Sequence, residues 1–281
     1  MRKAIIFAPG LIVAAVAVGC NLARAENCPG NPDALGTTRV LTIDPREYPR
    51  VGAMDHAVAL PLTDKEVVLT FDDGPVPRYS NQILDILAAQ CVRATFFLVG
   101  EMARAHPSTA RRIFAEGHSI GTHSEDHPVR FGKLPRPLVE WEIDKGILDV
   151  GAALGDHKQV APFFRVPGLA RSDVIESELA ARVLVDFGSD TAADDWHHRI
   201  SPKKIIALAM NRLKARGKGI LLLHDIHPAT VAALPGLLKE LRQRDFHIVD
   251  VVPTRSINSS CSTRCPREAV VMLLACLEPA K

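Results

Sequence analysis

The chain is predicted to be an α/β protein built on a parallel sheet that closes, or nearly closes, into a barrel. Three observations predict this. Seven short apolar runs recur between residues 67 and 252, and segments with helical periodicity separate most of them. The polar residues that stand out gather at one end of those runs. Strands alternating with helices imply crossover connections between parallel strands. Roughly 190 residues in one alternating series fit a barrel, although an open doubly wound sheet would show the same alternation.

Taken in order, the N-terminus comes first. Arg2 and Lys3 precede an apolar stretch from Ala4 to Val18, and Ala23-Arg24-Ala25 offers an A-x-A cleavage site. That is the form of a secretory signal peptide over residues 1–25, which would make the protein secreted or periplasmic, with no stable membrane insertion after cleavage. An uncleaved membrane anchor is the alternative, because no charge falls between Ala4 and Ala23, but Pro9, Gly10 and Asn21 weaken a spanning helix. A lipid-modified Cys20 is a third reading. Residues 26–63 are rich in turn formers ("CPGNPDALG", "DPREYPRVG") without a sustained period, and read as an irregular arm.

The main domain is expected over residues 64–252. Its strands are expected at Val67–Phe71, Ala94–Val99, His118–Gly121, Ala161–Phe164, Val183–Phe187, Gly219–Leu223 and His247–Val252. Between them, Ile83, Leu84 and Leu87 mark one apolar helix face, and Leu138, Trp141, Leu148 and Leu154 another. Ser201-Pro202 supplies an N-cap and a first-turn proline for a further helix that Gly217 closes, and Pro228 opens the next. Phe96, Phe97 and Trp141 read as core, and His118 as structural. Residues 253–281 form a short tail, polar in "TRSINSSCSTRCP" and apolar in "EAVVMLLACL", expected to pack on the body.

Composition narrows the partners. Hydrophobic residues make up 47% and charged residues 23%, ordinary for a soluble globular chain. Loss of Arg2, Lys3 and Arg24 with the signal peptide leaves 31 basic against 32 acidic residues, a net charge of −1. A near-neutral chain carries no electrostatic footprint for nucleic acid. "DDGPVP" after the first strand contains no glycine-rich phosphate fingerprint. Five cysteines remain: Cys28, Cys91, Cys261, Cys265 and Cys276. Some of them are expected to pair in an exported protein, with at least one left over and with a connectivity that spacing does not reveal. "CSTRC" has no second Cys/His pair near it, so it reads as a disulfide or free thiols before half a metal site.

The chemistry-bearing residues follow strand ends. Asp72 and Asp73 close "VVLTFDDGP", His123 and His127 follow the third strand, and Arg165 the fourth. Asp194-Asp195-Trp196 comes after the fifth, and His224-Asp225 after the sixth. Parallel strands bring their C-terminal ends to one face, where barrel enzymes carry their sites. Two histidines four apart plus a carboxylate form a common divalent-metal set with a position left for water. One aspartate of the pair can complete that set while the other acts as a base. His224 should enter from the far side as a candidate general acid. Trp196 could wall a substrate groove.

In order, "TFDDGP" (70–75), "HSEDHP" (123–128), "FRVPG" (164–168), "DDW" (194–196) and "LLLHD" (221–225) resemble the five motifs of polysaccharide deacetylases, the carbohydrate esterase family that includes the nodulation-type chitooligosaccharide deacetylases. The resemblance covers roughly residues 64–252. It implies a distorted (β/α) barrel of about seven strands that removes N-acetyl or O-acetyl groups from a polysaccharide or oligosaccharide. By the same resemblance Asp72 is the general base, and Asp73, His123 and His127 bind zinc or another divalent ion such as cobalt. Arg165 orients Asp72, Asp195 tunes His224 as general acid, the Gly168 N–H helps form the oxyanion hole, and Trp196 and Leu222 line the acetyl pocket. Two departures stand out. Arg165-Val166-Pro167-Gly168-Leu169 replaces the usual Arg-Pro-Pro-Tyr-Gly, and Asp190 lies further from Asp195-Trp196 than usual, leaving Asp194 as an alternative to Asp195.

Two other functions fit parts of this pattern. A non-haem iron oxygenase shares the ligand set but needs no base–acid pair across the metal. A sugar-binding protein without catalysis would not need every acid, base and ligand position filled. Chitin oligomers, peptidoglycan, acetylated xylan and exopolysaccharides all carry acetyl groups for such a site, and loop sequence does not choose among them.

Overall fold

The computed structural model describes residues 28–54 and 56–254. The signal peptide, Cys20, the three C-terminal cysteines and nearly all of the tail lie outside the described residues. Among the described residues, no helix is long and apolar enough to cross a membrane.

The expected irregular arm contains strands: β1 (Thr37–Ile43) and the short β2 (Arg50–Val51). The alternating series then runs β3 (Glu66–Asp72), α1 (Pro77–Ala89), β4 (Thr95–Leu98), α2 (Gly100–Ala105), α3 (Pro107–Ala115) and β5 (Ser119–Thr122). It continues with α4 (Arg136–Leu154), β6 (Phe163–Phe164), α5 (Asp173–Ala181), β7 (Val185–Phe187) and β8 (Thr191–Ala192). It ends with α6 (Pro202–Arg216), β9 (Gly219–His224), α7 (Pro228–Gln243) and β10 (His247–Pro253). Every strand pairing is parallel, in the order β7-β6-β5-β4-β3-β9-β8 around the barrel. β10 joins the base of β3, β1 lies outside β10, and β2 adds to β7.

The central strand shows how sequence becomes barrel. All seven residues of β3 are buried, because helices cover its outer face and side chains fill the inner one. Val67, Leu69 and Phe71 point outward into a core with Ile83, Leu87, Leu213, Leu237 and Leu241 from the helices. Val68 points inward, among Phe97, Phe163, Phe187 and Ile220. The alternation of a strand therefore puts Val68, Thr70 and Asp72 in one inward column, apolar at the base and charged at the rim. β9 repeats this with Ile220, Leu222 and His224, and pairing in register sets Asp72 beside His224.

The helix boundaries follow their signals. Ser201 caps α6 by accepting the Lys204 N–H, and Gly217 closes it at φ 81°, in the left-handed region where glycine is favoured. α7 starts at Pro228 as expected.

Three expectations need correcting. In α4 the buried face carries Val139, Ile143, Gly146 and Val150, whereas Leu138, Trp141 and Leu148 are about half exposed, so Trp141 is not core. Glu142 and Asp149 occupy the buried side in ion pairs and hydrogen bonds, and they disguise the apolar stripe. β8 was not expected, since two residues give no period. The run from Val183 becomes strand only at Val185, because Val183 sits in a turn with φ 55°.

The arm is tied to the barrel by a disulfide between Cys28 and Cys91, which spans 63 residues. Leu35 N–H and the Gln90 side chain add a hydrogen bond close by, at 3.1 Å.

Candidate active site

The loops after β3, β5, β6, β8 and β9 open on the same end of the barrel. There they enclose a pocket of about 400 Å³ lined by Asp72, Asp73, His123, His127, Val166, Gly168, Leu169, Trp196, Leu222 and His224. Sequence reasoning named eight of these and missed Val166 and Leu169, apolar residues of the divergent "FRVPGL" stretch that carry no chemical signal of their own.

Two adjacent acids face one pocket because they obey different backbone rules. Asp72 is the last residue of β3 and points inward with Thr70. Asp73 has φ 74°, outside the strand region, which turns its carboxylate back toward the same side. Gly74 follows because a Cβ there would stand 2.2 Å from the Asp225 carboxylate.

Asp72 is held by Arg165, whose side chain is fully buried. Nη1 of Arg165 donates to Asp72 Oδ1 and to Thr70 Oγ1, both at 2.7 Å. Nε and Nη2 donate to the Phe187 and Gly188 carbonyls, each at 2.8 Å. The guanidinium lies 4.2 Å over the Phe97 ring. Each polar end of this buried cation is matched, the condition under which such burial is tolerated.

Asp73, His123 and His127 form the candidate metal centre. One ligand-type atom from each lies within 4.8 Å of the others. Asp73 Oδ1 is 3.3 Å from His123 Nε2 and 3.4 Å from His127 Nε2. His123 Nδ1 lies 2.7 Å from the Arg165 carbonyl, which can only accept, so Nδ1 carries the proton and Nε2 presents its lone pair. Metal-bound imidazoles are commonly oriented by such a bond. Asp73 Oδ1 is buried without a hydrogen-bond partner. An anion in that position is costly unless a cation sits beside it, so the residues fit a divalent ion. Burial alone would push the Asp73 carboxyl up, but the histidines around it, His123 first and then His224 and His127, hold it well below the usual range. His127 is pushed down by burial and by the neighbouring His123.

His224 faces this trio from β9, with Nε2 4.0 Å from Asp73 Oδ2. Asp195 supports it twice, through Oδ1 to the ring Nδ1 and through Oδ2 to the backbone N–H, both at 2.8 Å. Thr230, in the first turn of α7, donates to Asp195 Oδ2 at 2.6 Å and was not anticipated. Burial would lower the His224 pKa, but the hydrogen bond and charge of Asp195, with Asp72 and Asp73 adding, raise it to about 9. Asp194 does not reach His224. It pairs with Arg212 at 2.6 and 2.8 Å and turns the chain at φ 55°. Asp190 instead braces the barrel base, accepting from Ala53 and Ile220 N–H at 2.7 and 2.8 Å.

Gly168 has φ 62°, and nothing lies within 4 Å of where its Cβ would be, so that side of the pocket is open. Trp196 is 45% exposed and meets the His224 ring edge-on at 5.5 Å. Leu222 is 5% exposed at the pocket floor. Behind the acid loop, burial pushes the Asp225 carboxyl up to about 7, while the Ser80 hydroxyl donates to it.

A family model described as polysaccharide deacetylase matches residues 59–183. The chain is 30% identical over 251 residues to a peptidoglycan-N-acetylglucosamine deacetylase of Bacillus cereus, covering 84% of this chain and 87% of that one. It is 31% identical over 192 residues to a peptidoglycan-N-acetylglucosamine deacetylase of Listeria monocytogenes, a match covering 67% of this chain but 38% of that longer protein. Among solved structures, it is similar to a peptidoglycan deacetylase of Bdellovibrio bacteriovorus, with TM-score 0.68, 29% identity, and coverage of 78% of this chain and 59% of that one.

Proposed function

Given that the chain belongs to the polysaccharide deacetylase family, we propose that it hydrolyses N-acetyl groups of amino sugars in peptidoglycan, releasing acetate. The chemistry rests on one observation: a candidate cation site lies between a carboxylate held by a buried arginine and an imidazole held by a second carboxylate. The choice of peptidoglycan rests on what the named relatives act on. The oxygenase reading is set aside by the family, and Asp72 and His224 have no place in it.

Asp73, His123 and His127 would hold the ion, with zinc the best match for two imidazoles and a carboxylate and cobalt a plausible substitute. When bound, the ion supplies a Lewis acid for the acetyl carbonyl and for the attacking water. Asp72, with Oδ1 fixed by Arg165, takes the water proton. The Gly168 N–H, on the pocket wall, donates to the oxyanion that develops as the carbonyl carbon becomes tetrahedral. His224, whose pKa the Asp195 carboxylate holds up, gives its Nε2 proton to the sugar nitrogen as the C–N bond breaks. Asp195 and Thr230 hold that ring in the orientation needed. Trp196 and Leu222 enclose the acetyl methyl.

An exported protein is the setting this reading favours. A disulfide at Cys28–Cys91 suits an oxidising compartment, as does a cleavable signal over residues 1–25.

The test is acetate release with added zinc from peptidoglycan, N-acetylglucosamine oligomers and acetylxylan side by side, with Asp72→Asn as the blank. Release from peptidoglycan and none in the blank is expected. Release from another polymer alone would overturn the substrate. No release from any, with folded and metal-loaded protein, would overturn the activity and favour a sugar-binding role.

A further inference from the structure

The loop carrying both imidazoles, residues 123–127, is gripped from behind by α4. Glu142 of α4 is 4% exposed, and its Oε2 accepts from two successive loop N–H groups, Glu125 at 2.9 Å and Asp126 at 3.2 Å. One turn further, Gly146 lets helix and loop touch: a Cβ there would stand 2.7 Å from the Ser124 carbonyl. Within the loop, Ser124 and His127 both take left-handed conformations, at φ 65° and 55°. Such conformations are strained at non-glycine residues and persist only where the surroundings impose them.

The two imidazoles are secured in different ways. His123 is buried, and its ring is bonded to the Arg165 carbonyl. The His127 side chain is 36% exposed, and its ring meets Asp73 Oδ1 at 3.4 Å and the His123 ring at 4.9 Å, both of them partners in the proposed ion site. Outside that site its direction follows its backbone. That backbone is fixed by the Ser124 hydroxyl, which accepts the His127 N–H at 3.0 Å, and by Glu142 on the two residues between.

We infer that Glu142 is a positioning residue for the metal centre: by bonding the N–H groups of Glu125 and Asp126 it aims His127 and so sets the affinity for the divalent cation. This rests on the metal site proposed above. A carboxylate oxygen accepting two adjacent N–H groups fixes a peptide plane more firmly than solvent would, and an ill-aimed third ligand costs affinity even when the other two are in place.

Zinc affinity of the purified chain, measured by competition against a chromophoric chelator, tests this. The proteins compared are wild type, Glu142→Ala, Glu142→Gln, His127→Ala and the double variant His127→Ala/Glu142→Ala, with the melting of each metal-free protein recorded. Glu142→Ala should weaken zinc binding about 10–100-fold, the usual effect of losing a group that orients a ligand. Glu142→Gln should stay close to wild type, because its amide oxygen accepts the same two N–H groups. On the His127→Ala background, Glu142→Ala should add no further loss. If Glu142→Ala fails to fold, Glu142→Asp, which withdraws the carboxylate by one methylene, is read in its place with the same expectation. Binding by folded Glu142→Ala within about twofold of wild type, against the 10–100-fold expected, would overturn the inference. An equal loss with and without His127 would do so too, since it would mean general loosening. No zinc binding by the wild type would overturn the metal site itself, a separate failure.

Discussion

Replacing Arg165 by Met keeps an aliphatic stem and removes the guanidinium, and with it the stacking on Phe97. Four hydrogen bonds go with it, to Asp72, Thr70 and the Phe187 and Gly188 carbonyls. All of these acceptors are buried where water does not easily replace the donor. Removing one partner of a buried ion pair costs about 3–5 kcal/mol, because the other charge stays behind unpaired. The two carbonyls and the hydroxyl add to that cost only partly, since neighbouring deletions are not additive. A loss of about 4 kcal/mol out of the roughly 5–15 kcal/mol typical of a folded domain is therefore expected. Urea unfolding of metal-free wild type and Arg165→Met would measure it. The Arg165 carbonyl that orients His123 survives the change, so zinc should still bind while acetate release is lost. Destabilisation below about 1 kcal/mol would mean that water or a relaxed Asp72 satisfies these groups, and the account of the inward column would be wrong.

Further outcomes follow from the same geometry. Asp72→Asn should retain zinc and lose turnover by about 10²–10⁴-fold, whereas Asp73→Ala and His127→Ala should purify without metal by elemental analysis, although the two remaining ligands still take zinc weakly when it is added in excess. Unchanged metal content in His127→Ala would refute the ligand assignment. Asp195→Asn removes the first support of the raised His224 pKa, so the alkaline limb of kcat/KM should move to lower pH; an unmoved limb would show that another group sets it. His118 is buried away from the site, and burial, helped by Arg93 and Arg112, lowers its pKa to about 4. Its neutral ring accepts the Ala94 N–H at 3.1 Å. Because the unfolded chain takes up this proton near pH 6.5 and the folded chain only near 4, stability is present above pH 6.5 and falls by about 3 kcal/mol as pH drops through that window. A His118→Asn variant with the same acid sensitivity as wild type would contradict this.

The parts legible in sequence share a cause. Asp72, Arg165 and His224 could be placed because strand ends in a parallel sheet converge whatever the loops do, and the helix starts at Ser201 and Pro228 could be placed because capping is local chemistry. The arm hid β1 because its neighbours are turn formers and its partner, β10, lies 200 residues away in sequence. The face of α4 was misjudged by one position, since Glu142 and Asp149 are buried by charge and hydrogen-bond pairing that only tertiary contact supplies. Asp194 and Asp195 are chemically identical in sequence, and only the turn at Asp194 assigns one to Arg212 and the other to His224. The disulfide joining Cys28 to Cys91 depends on where the arm folds back.

The registry of β3 with β9 carries a consequence for how such a protein can change. Asp72 and His224 are neighbours across a single ladder step. The gap between the proposed proton acceptor and the proposed proton donor is thus a property of the sheet, whose spacing between strands is about 4.8 Å, and no insertion in a surface loop alters it. The residues that would meet the rest of a glycan, such as Leu169 and Trp196, stand on connections that can lengthen, shorten or be exchanged. New polymers can be tried on those connections while the proton-transfer distance stays under the guard of the barrel's own folding.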